Sequence, residues 1–394
     1  MKIAKLETIR VPEHPNSLWL RIHADDGRTG LGETYYLPGA VESVIHDFCA
    51  QYLLGQRVLD RERHWAAIFA HADFFGFAGA ELRALSAIDI ALWDLAGQLT
   101  GLPIHDLIGG RYRDTIPLYN TCVDTPAHAD QRGFIERPGD LARDLLADGI
   151  AQMKVWPWDR FAPQRPSGAG LGPAGNAAVG PPGHRITAAE VDEGLACLRG
   201  IRDAVGPRMK ICIEGHSRWD LDSAIRIARA VEPFDVEWCE DLIQPNNVAD
   251  LARLARETRA PQGVSERLIT RHAFRPVLEA QAARVVLFDT VWTGGITEAI
   301  KIATLADAWG LPFAPHDCTG PVNVVASLHL CAALPNAMVM EIVRGFIRGW
   351  YRDILDRPLP VRGGEAVLEF AAGLGVALSP TLLARGDLIR RVSG

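Results

Sequence analysis

Residues 209–216 read MKICIEGH: a short apolar run that ends on an acid, a glycine and an imidazole. A run of this length, rich in isoleucine and bounded by polar residues, has the character of a buried parallel strand. Two later runs end in the same way, VEWCE at 236–240 and QGVSE at 262–266. Their last residues and Glu214 form a series, Glu214, Glu240 and Glu266, with 26 residues per step. That interval has room for one strand, one helix and two loops. Working outward, IPLYNT (116–121), AQMKVW (151–156), RVVLFD (284–289), PFAPH (312–316) and AMVMEI (337–342) are candidate strands of the same kind. Amphipathic stretches such as LDSAIRIARAVE (221–232) and GITEAIKIATLADAWG (295–310) lie between them. Eight strands alternating with helices predict a (β/α)8-type barrel, and no G-x-G-x-x-G follows a strand to suggest a doubly wound sheet.

The first 113 residues have a different rhythm. KIAKLETIRV, SLWLRIHADD and TGLGETY read as strands, and ELRALSAIDIALWDLAGQL as a helix whose Leu82, Leu85, Ile88, Leu92 and Leu95 form a core-facing stripe. This predicts an α+β domain over 1–115, a barrel over 116–356, and a segment over 357–394 that packs back on the first domain. Residues 160–184 hold 11 Gly or Pro in 25 positions, which predicts a long loop after the second barrel strand, either closing over a site or an inert insertion.

Composition narrows the function. A net charge of −7, from 41 basic against 48 acidic side chains, gives no footprint for nucleic acid or an anionic membrane. Seven scattered cysteines without a C-x-x-C pair indicate neither a disulfide framework nor a zinc site. No signal-peptide-like run opens the sequence and no 18-residue apolar stretch follows, so a cytoplasmic protein with a small-molecule partner is expected.

In a parallel barrel the carboxyl ends of the strands converge on one mouth. Here six of them in succession deliver Glu214, Glu240, Glu266, Asp289, His316 and Glu341. Taken singly, each acid reads better as a helix cap, a surface group or half of an ion pair; six ionisable residues in succession do not. Strands lie about 4.8 Å apart, so neighbouring carboxylates repel unless a cation sits among them. Three hard oxygen ligands suit Mg2+, with Mn2+ as a substitute.

Together with GLGETYY, the helix ending in LTGLPIHDLIGG, MKVWPWD, FDTVWTGGITEAIKIA, LPFAPHDCTGPVNVVASLHL and EIVRGF, these strands closely resemble the enolase superfamily. The likeness is to its mandelate racemase and muconate-lactonising branch and, within that, to acid-sugar dehydratases. The resemblance implies a modified TIM barrel, (β/α)7β, with an N-terminal α+β capping domain. It also implies Mg2+ held by Glu214, Glu240 and Glu266, a His316–Asp289 dyad, and Glu341 assisting an enolised carboxylate. His316 would be the base, since imidazole titrates near working pH. His216, two positions beyond Glu214, matches the Asp-x-His or Asp-x-Asn of some dehydratases. Its place admits three roles: acid to a leaving β-hydroxyl, metal ligand, or hydrogen-bond donor to substrate.

Three departures stand out. Glu214 replaces the usual Asp, CEDLIQP replaces a Glu-Glu-Pro or Glu-Gln-Pro, and the racemases' Lys-x-Lys is reduced to Lys154 and Trp156. Racemisation needs a base on each face, so Trp156 points away from it, and Lys154 would pair with substrate or a ligand carboxylate or be a structural ion pair. The expected function is Mg2+-dependent dehydration of an aldonate or aldarate to a 2-keto-3-deoxy acid. The alternatives are an epimerase or cycloisomerase of the same superfamily, or a non-catalytic metal-binding paralogue. Tyr35, Tyr36, Trp156, Arg267, Arg344 and the HADFFGFAG segment are candidate substrate contacts. The expected partners are a small carboxylate substrate and further copies of the chain, as a dimer or octamer.

Overall fold

Three antiparallel strands, β1 (Ile3–Arg10), β2 (Ser17–Ala24) and β3 (Thr29–Tyr35), lead into the 21-residue helix α1 (Ala80–Thr100). The computed structural model describes every residue except 75, 77, 164–182, 368 and 370. α1 stops at Gly101, whose φ of 74° is a left-handed conformation that glycine adopts without strain. β3 lies almost against the helix backbone. A Cβ on Gly32 would stand 1.9 Å from the Ala87 carbonyl oxygen, and one on Gly30 2.1 Å from that of Ala91.

β4 (Thr115–Thr121), β5 (Gln152–Val155), β6 (Lys210–Glu214), β7 (Trp238–Glu240), β8 (Gln262–Val264) and β9 (Val285–Val286) pair in parallel in that order. β10 (Met340–Ile342) pairs in parallel with β4. Phe313 closes the ring, bridged in parallel to Val286 on one side and Ala337 on the other. The strand expected over 312–316 is therefore a single bridged residue. Pro312 and Pro315, flanking it, carry no N–H to extend a ladder.

The crossovers carry α2 (Pro138–Ala147), α3 (Ala188–Val205), α4 (Leu221–Val231), α5 (Val248–Glu257), α6 (Thr270–Glu279), α7 (Gly295–Ala308) and α8 (Pro321–Ala333). Seven such units and a final strand make the modified (β/α)7β barrel. Side chains start several of the helices. Thr187 and Glu190 form a capping box on α3, and Asp220 accepts from the Ser223 N–H at the start of α4. The tail serves both sheets: the hairpin β11 (Val361–Arg362) and β12 (Glu365–Val367) pairs with β4, and β13 (Ile389–Ser393) pairs antiparallel with β1.

α1 is buried on nearly every side from Leu82 to Gly97, not only along the expected stripe, because it is sandwiched between β3 and α7. Its polar residues are matched. Asp89 accepts from the Thr297 amide at 2.8 Å and hydroxyl at 2.6 Å, and Asp94 from the Leu31 and Leu374 amides at 2.8 and 2.9 Å. Glu33 of β3 reaches further, accepting from Trp19 Nε1 at 2.7 Å and the Asn323 amide at 3.0 Å. Asn323 in turn donates to the His316 carbonyl at 3.1 Å, so the first sheet braces the turn that carries His316.

Candidate active site

The carboxyl end of the barrel is a nest of buried charge. Glu214 and Glu240 are register partners at the ends of β6 and β7. Lys154 of β5 reaches between them, its Nζ 2.9 Å from Glu240, 2.9 Å from Glu341 and 3.5 Å from Glu214. Burial works against that ammonium, but the carboxylates around it hold its pKa well above the ordinary lysine value. Glu266 follows β8 and lies 3.5 Å from Arg267.

Glu214, Glu240 and Glu266 do not close into a tight trio. Among the described residues, the set of three whose ligand atoms lie within 4.8 Å of one another is His316, Cys318 and Glu341. Burial dominates the electrostatics here. Burial pushes the Glu214 carboxyl up to about 7 and those of Glu240 and Asp241 well above the carboxylate range, with neighbouring acids adding to it. Lys154 supplies the one buried ammonium among them.

Two oxygens here, Glu266 Oε2 and Asp241 Oδ1, are buried without a hydrogen-bond partner among the described residues. Orphaned carboxylate oxygens beside two more carboxylates are the donor set of a hard divalent cation, so the residues fit Mg2+. Asp241 is a residue that sequence reasoning passed over. It follows Glu240 directly, and its left-handed φ of 43° turns it back to accept from the Ser265 hydroxyl at 2.5 Å.

On one side of the nest His316 Nδ1 lies 2.8 Å from Asp289 Oδ2, while Asp289 Oδ1 accepts from the Val291 amide at 2.9 Å. Burial alone would lower the His316 pKa, but the carboxylates of Glu341 and Asp289 raise it well above the usual imidazole value. Trp292 lies over the ring with centroids 5.3 Å apart, and Tyr36 lies against Trp292. Nothing in the sequence marked Trp292 as more than core.

On the other side His216 has a carboxylate of its own. Its Nδ1 is 2.6 Å from Asp159 Oδ2, and Trp156 meets its ring edge-on at 5.7 Å. His216 does not follow the strand's alternation. Its φ of 47° and that of Ser217, 59°, are left-handed, and the His216 amide turns back to donate to Glu214 Oε1 at 2.6 Å. Gly215 permits the turn, since a Cβ there would meet the Leu242 Cα at 2.7 Å. Asp159 closes the MKVWPWD motif, but its pairing with a residue 57 positions away has no signal in sequence.

Other candidates are engaged elsewhere. The Arg344 guanidinium donates to Asp130 at 2.8 and 2.5 Å and to Asp148 at 2.7 Å, acids that match its charge. Arg267 donates to the His216 carbonyl at 3.0 Å and lies beside Glu266 and Asp241, so it supports the nest. Tyr35 is half-buried against Tyr36, its hydroxyl pushed up to about 12 by burial. Most of the Gly/Pro-rich loop, 164–182, and Phe75 and Phe77 of HADFFGFAG lie outside the described residues, as do Leu368 and Phe370 in the tail. All seven cysteines are unpaired, and no helix among the described residues is long and apolar enough to cross a membrane.

A barrel of this topology under an antiparallel α+β unit, with acids at successive strand ends, defines a class. Residues 12–109 match the mandelate racemase / muconate lactonizing enzyme N-terminal domain, and residues 139–382 the enolase C-terminal domain-like family. The chain belongs to the enolase superfamily, in its mandelate racemase and muconate-lactonising branch. It is similar to a D-xylonate dehydratase of Haloferax volcanii, 28% identical over 96% of this chain and 87% of that protein. A D-galactonate dehydratase of Ralstonia nicotianae is 29% identical over 97% of this chain and 94% of the relative. Among solved structures, an enolase of the mandelate racemase subgroup from Agrobacterium tumefaciens superposes with a TM-score of 0.87 at 40% identity, covering 100% of this chain and 99% of the other.

Proposed function

We propose that the chain is a hydro-lyase that dehydrates a sugar acid, an aldonate or aldarate, to a 2-keto-3-deoxy acid. The observation that carries this reading is the pair of imidazoles at the barrel mouth, each oriented by its own carboxylate, His316 by Asp289 and His216 by Asp159. Dehydration of an acid sugar needs both a base for the α-proton and an acid for the β-hydroxyl, and two separately oriented imidazoles supply both. Trp156, in place of a second lysine, favours elimination over racemisation. The dehydratase names of the curated relatives point the same way.

Glu214, Glu240 and Glu266 would hold Mg2+, with Asp241 beside them, and the ion would offset the charge that develops on the substrate carboxylate. General-base catalysis supplies only about 10²- to 10⁴-fold, so such an electrostatic contribution is needed. With Nδ1 bonded to Asp289, His316 has Nε2 left to take the α-proton, and Asp289 stabilises the imidazolium that results. His216, its Nδ1 on Asp159, has Nε2 left to protonate the departing hydroxyl. Lys154 and the Asp317 amide fix Glu341, its Oε2 3.1 Å from that amide. Glu341 would assist one oxygen of the enolised carboxylate by donating a proton to it, which requires its carboxyl to be protonated at that step. Lys154 offsets part of the cost of burying charge on Glu214 and Glu240.

The test is a panel of aldonates and aldarates with Mg2+, read by a colour reaction for 2-keto acids. Product from at least one is expected, and none from any would end the dehydratase reading. Exchange of the α-proton in D2O without keto product would favour an epimerase. We place the reaction in the cytoplasm, which fractionation of the source cells would test, and in a homo-oligomer, which light scattering of the purified protein would test.

A further inference from the structure

We propose that His316, Cys318 and Glu341 form a second cation site, one that takes a thiophilic divalent ion of the zinc class and silences the base when filled. The three ligand atoms lie within 4.8 Å of one another, with Cys318 Sγ 3.8 Å from Glu341 Oε1. Sulfur and oxygen bound to one tetrahedral zinc, at about 2.3 and 2.1 Å, stand about 3.6 Å apart, so this spacing needs little adjustment. Neither imidazole nitrogen is wasted. Asp289 holds Nδ1 at 2.8 Å, which leaves Nε2 as the ligand and provides the outer carboxylate that orients zinc-bound histidines.

The donor set separates the two ions. Glutamates around Glu214 offer only oxygen and suit Mg2+, whereas nitrogen, sulfur and one carboxylate suit Zn2+. Cys318 is also the one cysteine of the seven that is half-buried, the other six being buried. Glu341 is fixed for the role by Thr121, Lys154 and the Asp317 amide. On binding, zinc forms bonds to the sulfur, to His316 Nε2 and to a Glu341 oxygen, and the thiol proton and any proton on Nε2 leave to solvent, with no change of oxidation state. An imidazole whose Nε2 ligates a metal cannot accept a proton. The loss of turnover therefore rests on His316 as the base, while the binding itself does not.

Cobalt(II) reports the site directly, because a thiolate ligand gives an intense sulfur-to-cobalt charge-transfer band in the near ultraviolet and an all-oxygen site gives none. Co2+ titrated into the full-length protein saturated with Mg2+ should raise that band to saturation at one equivalent. Cys318→Ser and Cys318→Ala, each checked for folding by circular dichroism, should lack it. With an active sugar acid in hand, the zinc concentration that halves activity, normalised to each variant's own rate, should rise at least tenfold in both variants. Absence of the band in the wild-type protein, or its persistence without Cys318, overturns the site. A band with undiminished turnover under zinc overturns the silencing and removes His316 from the role of base.

Discussion

Two histidines with the same bonding, Nδ1 to a carboxylate, face the nest from opposite sides, and His316 has a second acid near it. His316 is flanked by Glu341 as well as Asp289, and both favour its charged form. Replacing Glu341 by Gln removes one of those charges, so the His316 pKa should fall. A nitrogen-15 NMR titration of the metal-free protein should show its imidazole transition moving to lower pH; an unmoved transition would mean that Asp289 alone sets it. The two rings should also separate by reaction step. His316→Asn should abolish both turnover and α-proton exchange, whereas His216→Asn should lose elimination by about 10²- to 10⁴-fold and keep exchange. Asp159→Asn should follow His216→Asn in direction, by at least about tenfold, since an outer carboxylate acts through the ring it orients. Deuterium incorporation measured beside keto-acid release tells these apart, and full dehydration by the His216 variant would remove it from the acid role. His216 itself was legible in MKICIEGH, but the reason it faces the site was not. A left-handed turn at His216 and Ser217, beside the close-packed Gly215, delivers it.

At the scale of elements, the contact that matters most is β3 against α1. Gly32 allows a strand to touch a helix backbone, so Gly32→Ala should push them apart and cost about 3 kcal/mol or more, overpacking with no flexible neighbour to yield. Gly39→Ala, whose new Cβ meets nothing within 4 Å, is the matched control and should leave the melting temperature unchanged or slightly raised. Equal melting temperatures for the two variants would show that the close approach carries no such cost. The strands were readable because buried parallel strands give unbroken apolar runs, and the repeat from Glu214 to Glu240 to Glu266 marked their ends. The element around Phe313 was not, because its apolar letters are those of a strand while its prolines withhold the donors. Partnerships such as Asp159 with His216 or Asp241 with Ser265 are made across loops, where sequence spacing carries no distance.

The whole molecule depends on joints between the first sheet, the barrel and the tail, and one of them is sensitive to acid. His329 of α8 is fully buried, with its Nε2 3.2 Å from the Leu374 carbonyl in the tail and its Nδ1 3.2 Å from the His105 amide and 3.0 Å from His105 Nδ1. A carbonyl only accepts and an amide only donates, so His329 must carry its proton on Nε2 and keep Nδ1 bare. Burial first, and then the neighbouring His105, hold its pKa down to about 3. In the unfolded chain the same ring titrates near about 6.5. Between those values the unfolded state binds the extra proton, so stability is fully present above pH ~6.5 and is lost as pH falls toward ~3. The slope is about 1.4 kcal/mol per pH unit for one proton, up to ~5 kcal/mol over the window. His329→Gln keeps a donor and an acceptor but cannot be protonated. Its unfolding free energy from urea melts should be lower than wild type at pH 7, yet flatter by about 1.4 kcal/mol per unit between pH 6 and 4, so the two lines converge in acid. Parallel lines would show that the joint opens before it titrates and that other groups set the acid limit of the fold.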